Sequence, residues 1–151
     1  LDIQECEPVA LFPSPTLVPV DEAGRILPID PVLHRLDLPL IASGRGDGAS
    51  SLTQAERSLL ASEISRIRAA DPDLASQISD LNLEEGGDLR ARFLKPSVVF
   101  RFRPGMADRR IQDGLRVLAD ATARFEDDAV ANLDLRYEDQ VVVRLDPRGG
   151  N

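Results

Sequence analysis

Apolar and polar residues alternate with a period of two through residues 132–145. Leu133, Leu135 and Tyr137 alternate with Asp134 and Arg136; Glu138-Asp139 interrupts, and Val141, Val143 and Leu145 resume the pattern. Such alternation, rich in β-branched and aromatic residues, predicts half-buried strands. A final strand that lies at a sheet edge leaves a row of unpaired N–H and C=O groups, and another chain can add a strand there.

The same period recurs over 77–84, 88–94 and 97–103, separated by Glu85-Gly86-Gly87 and by Lys95-Pro96. Leu89, Ala91 and Phe93 then share one face with Val98, Phe100 and Phe102, while Arg90, Arg92, Arg101 and Arg103 take the other. Two readings of that basic face stand side by side. It is a solvated surface neutralised by Asp80, Glu84 and Asp88 through ordinary cross-strand pairing, or it is a landing surface for an acidic partner segment.

Upstream, 3–11 reads as a strand that Pro8 confines to an edge or a bulge. Residues 12–15 form a Pro-punctuated joint, a natural place for a domain boundary. Short strands at 17–20 and 25–29 flank Asp21-Glu22-Ala23-Gly24, a hairpin signal that Asp30-Pro31 ends. An extended segment at 36–41 leads into 42–51, whose Gly, Ser and Asp predict a flexible loop.

Helical spacing appears twice. Thr53 and Glu56 form a capping box, after which Leu52, Ala55, Leu59, Leu60, Ile64 and Ile67 fall on one face until Asp71-Pro72 stops the helix. Residues 107–125 give a second helix with Ile111, Leu115, Leu118, Thr122 and Phe125 on its buried stripe. Gly114 inside it costs about 1 kcal/mol relative to Ala and suits close packing on a sheet. The economical arrangement is α+β: a largely antiparallel sheet with both amphipathic helices on one face.

Length and charge narrow the function classes. A chain of 151 residues buries roughly 70% of its unfolded surface and needs no disulfide or metal staple; the single Cys6 makes no internal disulfide. No apolar run reaches the roughly 18 residues of a membrane span, and no stretch reads as a signal peptide. The chain opens on Leu1 rather than Met, as an excised fragment would. The net charge of −8 at pH 7 disfavours nucleic acid and anionic lipid, because phosphate neutralisation needs a basic surface. Protein partners fit better.

Catalytic groupings are hard to assemble from this sequence. His34 is the only histidine and sits in a Pro-rich connection without a nucleophile signature, so it reads as a surface or turn residue. Cys6 within a predicted strand reads as a small core hydrophobe. Residues 84–88 lack the alternating oxygen ligands of a calcium loop and read as a hairpin turn. Residues 44–48 hold an Arg-Gly-Asp triplet but lack the lysine and Ser/Thr of a phosphate loop. No enzyme, metal site or cofactor is expected.

Three segments, in order, resemble the bacterial cell-division family FtsQ/DivIB. The first, Ile3-Gln4-Glu5-Cys6-Glu7-Pro8-Val9-Ala10, is similar to the end of that family's membrane-proximal POTRA domain. The second joins Leu17-Val18-Pro19-Val20-Asp21-Glu22-Ala23-Gly24-Arg25-Ile26-Leu27 to Leu36-Asp37-Leu38-Pro39-Leu40-Ile41 and resembles the start of its β domain. The third, Leu133-Asp134-Leu135-Arg136-Tyr137 with Val141-Val142-Val143-Arg144, resembles the terminal strands.

The resemblance implies residues 1–11 as the last POTRA strand and 12–151 as the β domain with a C-terminal edge strand. It implies a non-catalytic divisome scaffold, single-pass in the inner membrane with this domain on the periplasmic side. Its partners would be FtsB and FtsL, recruited by strand addition in the control of septal peptidoglycan synthesis. Arg136 and Tyr137 would be contacts, and Gln140, Val141, Val142, Val143 and Arg144 the open edge. Val141-Val142-Val143 departs from the more Gly- and aromatic-containing end of some relatives. On these grounds Arg136→Glu, or a proline at Val142, is expected to weaken partner binding and leave helical content intact. The competing readings are a periplasmic accessory of a secretion or outer-membrane transport machine, and an enzyme domain completed by a missing partner.

Overall fold

A computed structural model describes residues 7–93, 98–106, 110, 112–114, 116, 129–136 and 142–147, with side chains left aside at 129–131 and 142–147. Its strands are β1 (Ala10–Ser14), β2 (Thr16–Val20), β3 (Leu40–Ser43), β4 (Ile78–Leu83), β5 (Leu89–Phe93), β6 (Val98–Phe102), β7 (Ala129–Asp134) and β8 (Val142–Pro147). They form one sheet in the order β2-β1-β3-β4-β5-β6-β7-β8. The helices α1 (Gln54–Ala70) and α2 (Pro72–Ala75) lie between β3 and β4. The fold is α+β.

The sheet is mixed rather than largely antiparallel. Four pairings are antiparallel, but β1–β3, β3–β4 and β6–β7 are parallel. Parallel neighbours need crossovers; β2 and the segment after it connect β1 to β3, and helices supply the crossovers of β3–β4 and β6–β7. The chain runs β3-α1-α2-β4-β5, then β6, helical residues including Arg110, Gln112, Asp113, Gly114 and Arg116, then β7 and β8. Both crossovers step the same way along the sheet between strands of the same direction. Right-handed crossovers therefore place both helices on one face, and strand-by-strand periodicity does not reveal this second rule.

That face is the core. Ile41, Leu81, Ala91, Phe100 and Leu133 line up in register across five strands, each under 3% exposed. Leu60, Ile64 and Ile67 of α1 pack on them. The capping box at Thr53 and Glu56 forms as the sequence predicts, and Asp71 ends α1. Asp71 also caps α2, which the sequence reading did not anticipate. The α1 stripe is narrower than expected: Ala55 and Leu59 are exposed, whereas Ala61 and Glu63 are buried. A Cβ on Gly114 would sit 2.8 Å from Leu135 Cδ2 and 3.4 Å from Phe100 Cε1, so the helix approaches the sheet closely here and a side chain at this position would force Leu135 to shift. The expected stripe residues Ile111, Leu115, Leu118, Thr122 and Phe125 lie outside the described residues, as does Cys6.

Three boundaries shift. β1 begins at Ala10 and runs through Phe12 and Pro13, so the joint expected at 12–15 narrows to a turn at Pro15 between β1 and β2. Phe12 is 2% exposed, and its burial holds this Pro-flanked segment in the sheet. β1 crosses the expected division between residues 11 and 12, and it lies inside the sheet rather than at an edge. The second arm of the 17–29 hairpin reduces to one bridge, Val20 to Ile26, because Pro28 follows at once. In the 42–51 loop, Ala42 and Ser43 belong to β3, and the remainder is tied down. Ser43 Oγ donates to Asp47 Oδ1 at 2.6 Å, and the Arg45 guanidinium binds both Asp47 and Glu56.

Candidate functional site

β8 is the last strand of the sheet, and among the described residues no strand lies on its outer side. Its register on β7 sets Val142 against Asp134, Val143 against Leu133, Arg144 against Asn132 and Leu145 against Ala131. The direction of the backbone groups follows from one bond. Leu135 N–H donates to the Arg101 carbonyl at 2.8 Å, so odd-numbered residues of this strand face β6 and even-numbered ones face β8. Partners in an antiparallel ladder exchange both bonds at alternate pairs. Val142, Arg144 and Asp146 therefore bond to β7, while Val143, Leu145 and Pro147 turn their backbone groups outward. Pro147 has a carbonyl but no N–H to offer.

This alternation corrects the expectation about a proline at Val142. Its N–H faces β7, so a proline there would damage the sheet itself; Val143 is the position that tests the outer edge alone.

Arg136, one of the expected contacts, lies just past β7 and is held by two carboxylates. Its Nε donates to Asp134 Oδ1 at 2.8 Å, Nη2 to Asp134 Oδ2 at 2.5 Å and Nη1 to Asp88 Oδ2 at 3.0 Å. Its backbone N–H also donates to Asp134 Oδ1 at 3.1 Å, an Asx-type turn that ends the strand. The fork joins the end of β7 to the turn before β5. Paired charge has the usual consequences: Asp134 is held below the ordinary carboxylate range by the Arg136 guanidinium, and Arg136 is held still more firmly protonated by Asp134 and Asp88. An acidic partner residue would have to share this arginine with two internal carboxylates. Sequence reasoning named Arg136 without its holders; the i, i+2 spacing from Asp134 was the available signal. Tyr137, Gln140 and Val141 lie outside the described residues.

On the face of β5 and β6 away from the core, Arg90 lies directly opposite Arg101 and Arg92 opposite the buried Val99, while Arg103 falls just past the end of β6. Arg92 lies 4.0 Å from Asp80 and Arg101 lies 3.7 Å from Glu84. Asp80 and Glu84 thus neutralise as the bland reading expected, whereas Asp88 is engaged by Arg136. Arg90 is half-buried and Arg103 exposed. His34 is exposed in a turn whose first residue, Asp30, accepts from Val32 N–H at 2.9 Å. Among the described residues no cluster of His, Cys, Asp or Glu could hold a metal ion, and no helix is long and apolar enough to cross a membrane.

The chain matches no protein-family model and no curated protein sequence.

Proposed function

We propose that this chain is a non-catalytic scaffold domain of bacterial cell division, recruiting FtsB and FtsL by strand addition at β8. The observation that carries this reading is the outward backbone of Val143 and Leu145 on the last strand of the sheet. The resemblance of three ordered segments to the FtsQ/DivIB family supplies the identity of the partner. In this reading the parent chain is anchored in the inner membrane and the domain stands on the periplasmic side, where recruitment bears on septal peptidoglycan synthesis.

Titration with the periplasmic parts of FtsB and FtsL, followed by backbone amide NMR, tests this. Shifts concentrated at 136–145 and spreading to β5 and β6 are expected. A spectrum unchanged at saturating partner concentration would overturn the divisome reading and favour the transport-accessory one.

A further inference from the structure

The outer edge of β8 is complementary to itself. The register on β7 turns outward the N–H and C=O of Val143 and Leu145 and the C=O of Pro147, and among the described residues no strand lies against them. A second copy approaching antiparallel must set outward-facing residues against outward-facing residues, which restricts the two-fold axis to few positions. Centred on Arg144, the pairing puts Arg144 against itself. Centred on Asp146, it puts Asp146 against itself. Centred on Val143, it pairs no charges within the strand. Centred on Leu145, it sets Leu145 against Leu145 and Val143 against Pro147, and it sets Arg144 against Asp146 twice, once on each side of the axis. Those two cross-strand positions are the non-hydrogen-bonded ones, where Cα atoms approach to about 4.5 Å and side-chain pairing counts most.

We propose that β8 pairs antiparallel with β8 of a second copy of this chain, about a two-fold axis at Leu145 that sets Arg144 against Asp146 in both directions. An isologous contact of this kind closes on itself and yields a dimer rather than a fibre. The carbonyl of Pro147 accepts from Val143 of the other copy, and the missing N–H of Pro147 ends the shared ladder. The rest of the molecule opposes the contact, since each copy carries a net charge of −8. The dimer is accordingly weak and is favoured by salt that screens long-range repulsion. It occupies the same backbone groups that a partner strand would use, so the two states exclude each other. The inference uses that edge but does not depend on who the partner is.

Sedimentation equilibrium of the intact chain, over a concentration series reaching the millimolar range, tests it. A monomer–dimer equilibrium is expected. Arg144→Asp alone, or Asp146→Arg alone, puts like charges in both pairs and should weaken the dimer about tenfold. The two substitutions together restore opposite charges and should restore the dimer, which a general loss of folding could not do. In a Cys6→Ser background, Leu145→Cys should cross-link the dimer at its axis under mild oxidation. A chain monomeric throughout the series, or a dimer indifferent to both charge reversals, would overturn the inference. Either result leaves the FtsB and FtsL titration to be judged separately, and a rescued dimer alongside a failed titration would sink only the divisome reading.

Discussion

The sheet has two edges, and they are built in opposite ways. β2 is closed. The residues of β2 that turn outward include Pro19, which has no N–H, and its carbonyl is taken by Leu27 N–H at 2.8 Å. Asp21 N–H, one residue beyond the strand, donates to the Arg25 carbonyl at 3.0 Å. The returning segment is locked by Asp21, whose carboxylate accepts from both the backbone and the side chain of Arg25. Burial would raise the pKa of Asp21, but these two bonds outweigh it and hold it low. Arg57 of α1 completes the lock by donating to the Gly24 carbonyl at 2.9 Å while lying 5.2 Å over the Phe12 ring. β8 has no such device among the described residues. Proteins commonly blunt edge strands with proline, bulges or a covering segment; β2 has both a proline and a covering segment, whereas among the described residues β8 has only Pro147 at its end. Among the described residues β8 is the less covered of the two edges.

The sharpest way to break the contrast is at Gly24. It has φ +77°, and an added Cβ would lie 2.4 Å from the Gln54 carbonyl oxygen and 2.6 Å from Ser58 N. Both the backbone conformation and the contact with α1 demand glycine. Gly24→Ala is expected to cost about 3 kcal/mol, combining left-handed strain with overpacking. Urea unfolding followed by circular dichroism measures it; a loss near zero would mean that the turn and α1 separate freely and that the β2 edge is not locked.

At the other edge, one strand provides its own control. Arg144→Pro removes a donor to β7 and is expected to cost about 3 kcal/mol. Val143→Pro removes only an outward donor, which edge strands tolerate, so stability should fall by about 1 kcal/mol or less while strand addition fails. Thermal unfolding together with a partner-binding assay separates the two. Equal destabilisation by both variants would show that the bonding alternation inferred from Leu135 and Arg101 is wrong.

What could be read in the sequence was local. The capping box, the period-two runs of β4, β5 and β6, and the facing of Leu89, Ala91 and Phe93 onto Phe102, Phe100 and Val98 all depend on residues within a few positions of each other. The terminal edge strand was legible for the same reason. The parallel pairings were not, because alternation reports which side of a strand is buried and not which neighbour it has. The tight loop at 43–47 was misread as flexible: Gly and Ser look alike in a loose loop and in one pinned by Arg45 to the helix cap at Glu56. The holders of Arg136 were half legible, since Asp134 is two residues away and Asp88 is forty-eight residues away.

The Arg136 fork lets the same contrast be sharpened by pH, with the smallest effect of the three. Asp134 is depressed below its ordinary value of 3.8 because Arg136 donates to it, and Arg101 adds attraction. A carboxylate with a lowered folded-state pKa contributes stability that is complete above its unfolded pKa and is lost as pH falls through the folded one. Asp134→Asn should therefore be less stable than the parent chain near neutral pH by about 1 kcal/mol, the scale of a partly solvated ion pair. The gap should begin to close below about pH 4 and vanish once the pH has fallen through the lowered folded-state pKa, where the parent's carboxylate is neutral too. Asp21 follows the same sign at the closed edge, so acid loosens both ends of the sheet. The two ends differ in what is released. At β2, acid weakens a lock on a strand whose proline still lacks a donor. At the other end, it removes one of the two carboxylates that hold the Arg136 guanidinium beyond β7. Partner binding measured against pH should thus change in the Asp134→Asn variant relative to the parent chain at neutral pH and converge with it in acid; parallel curves would show that the Arg136 fork takes no part in partner binding.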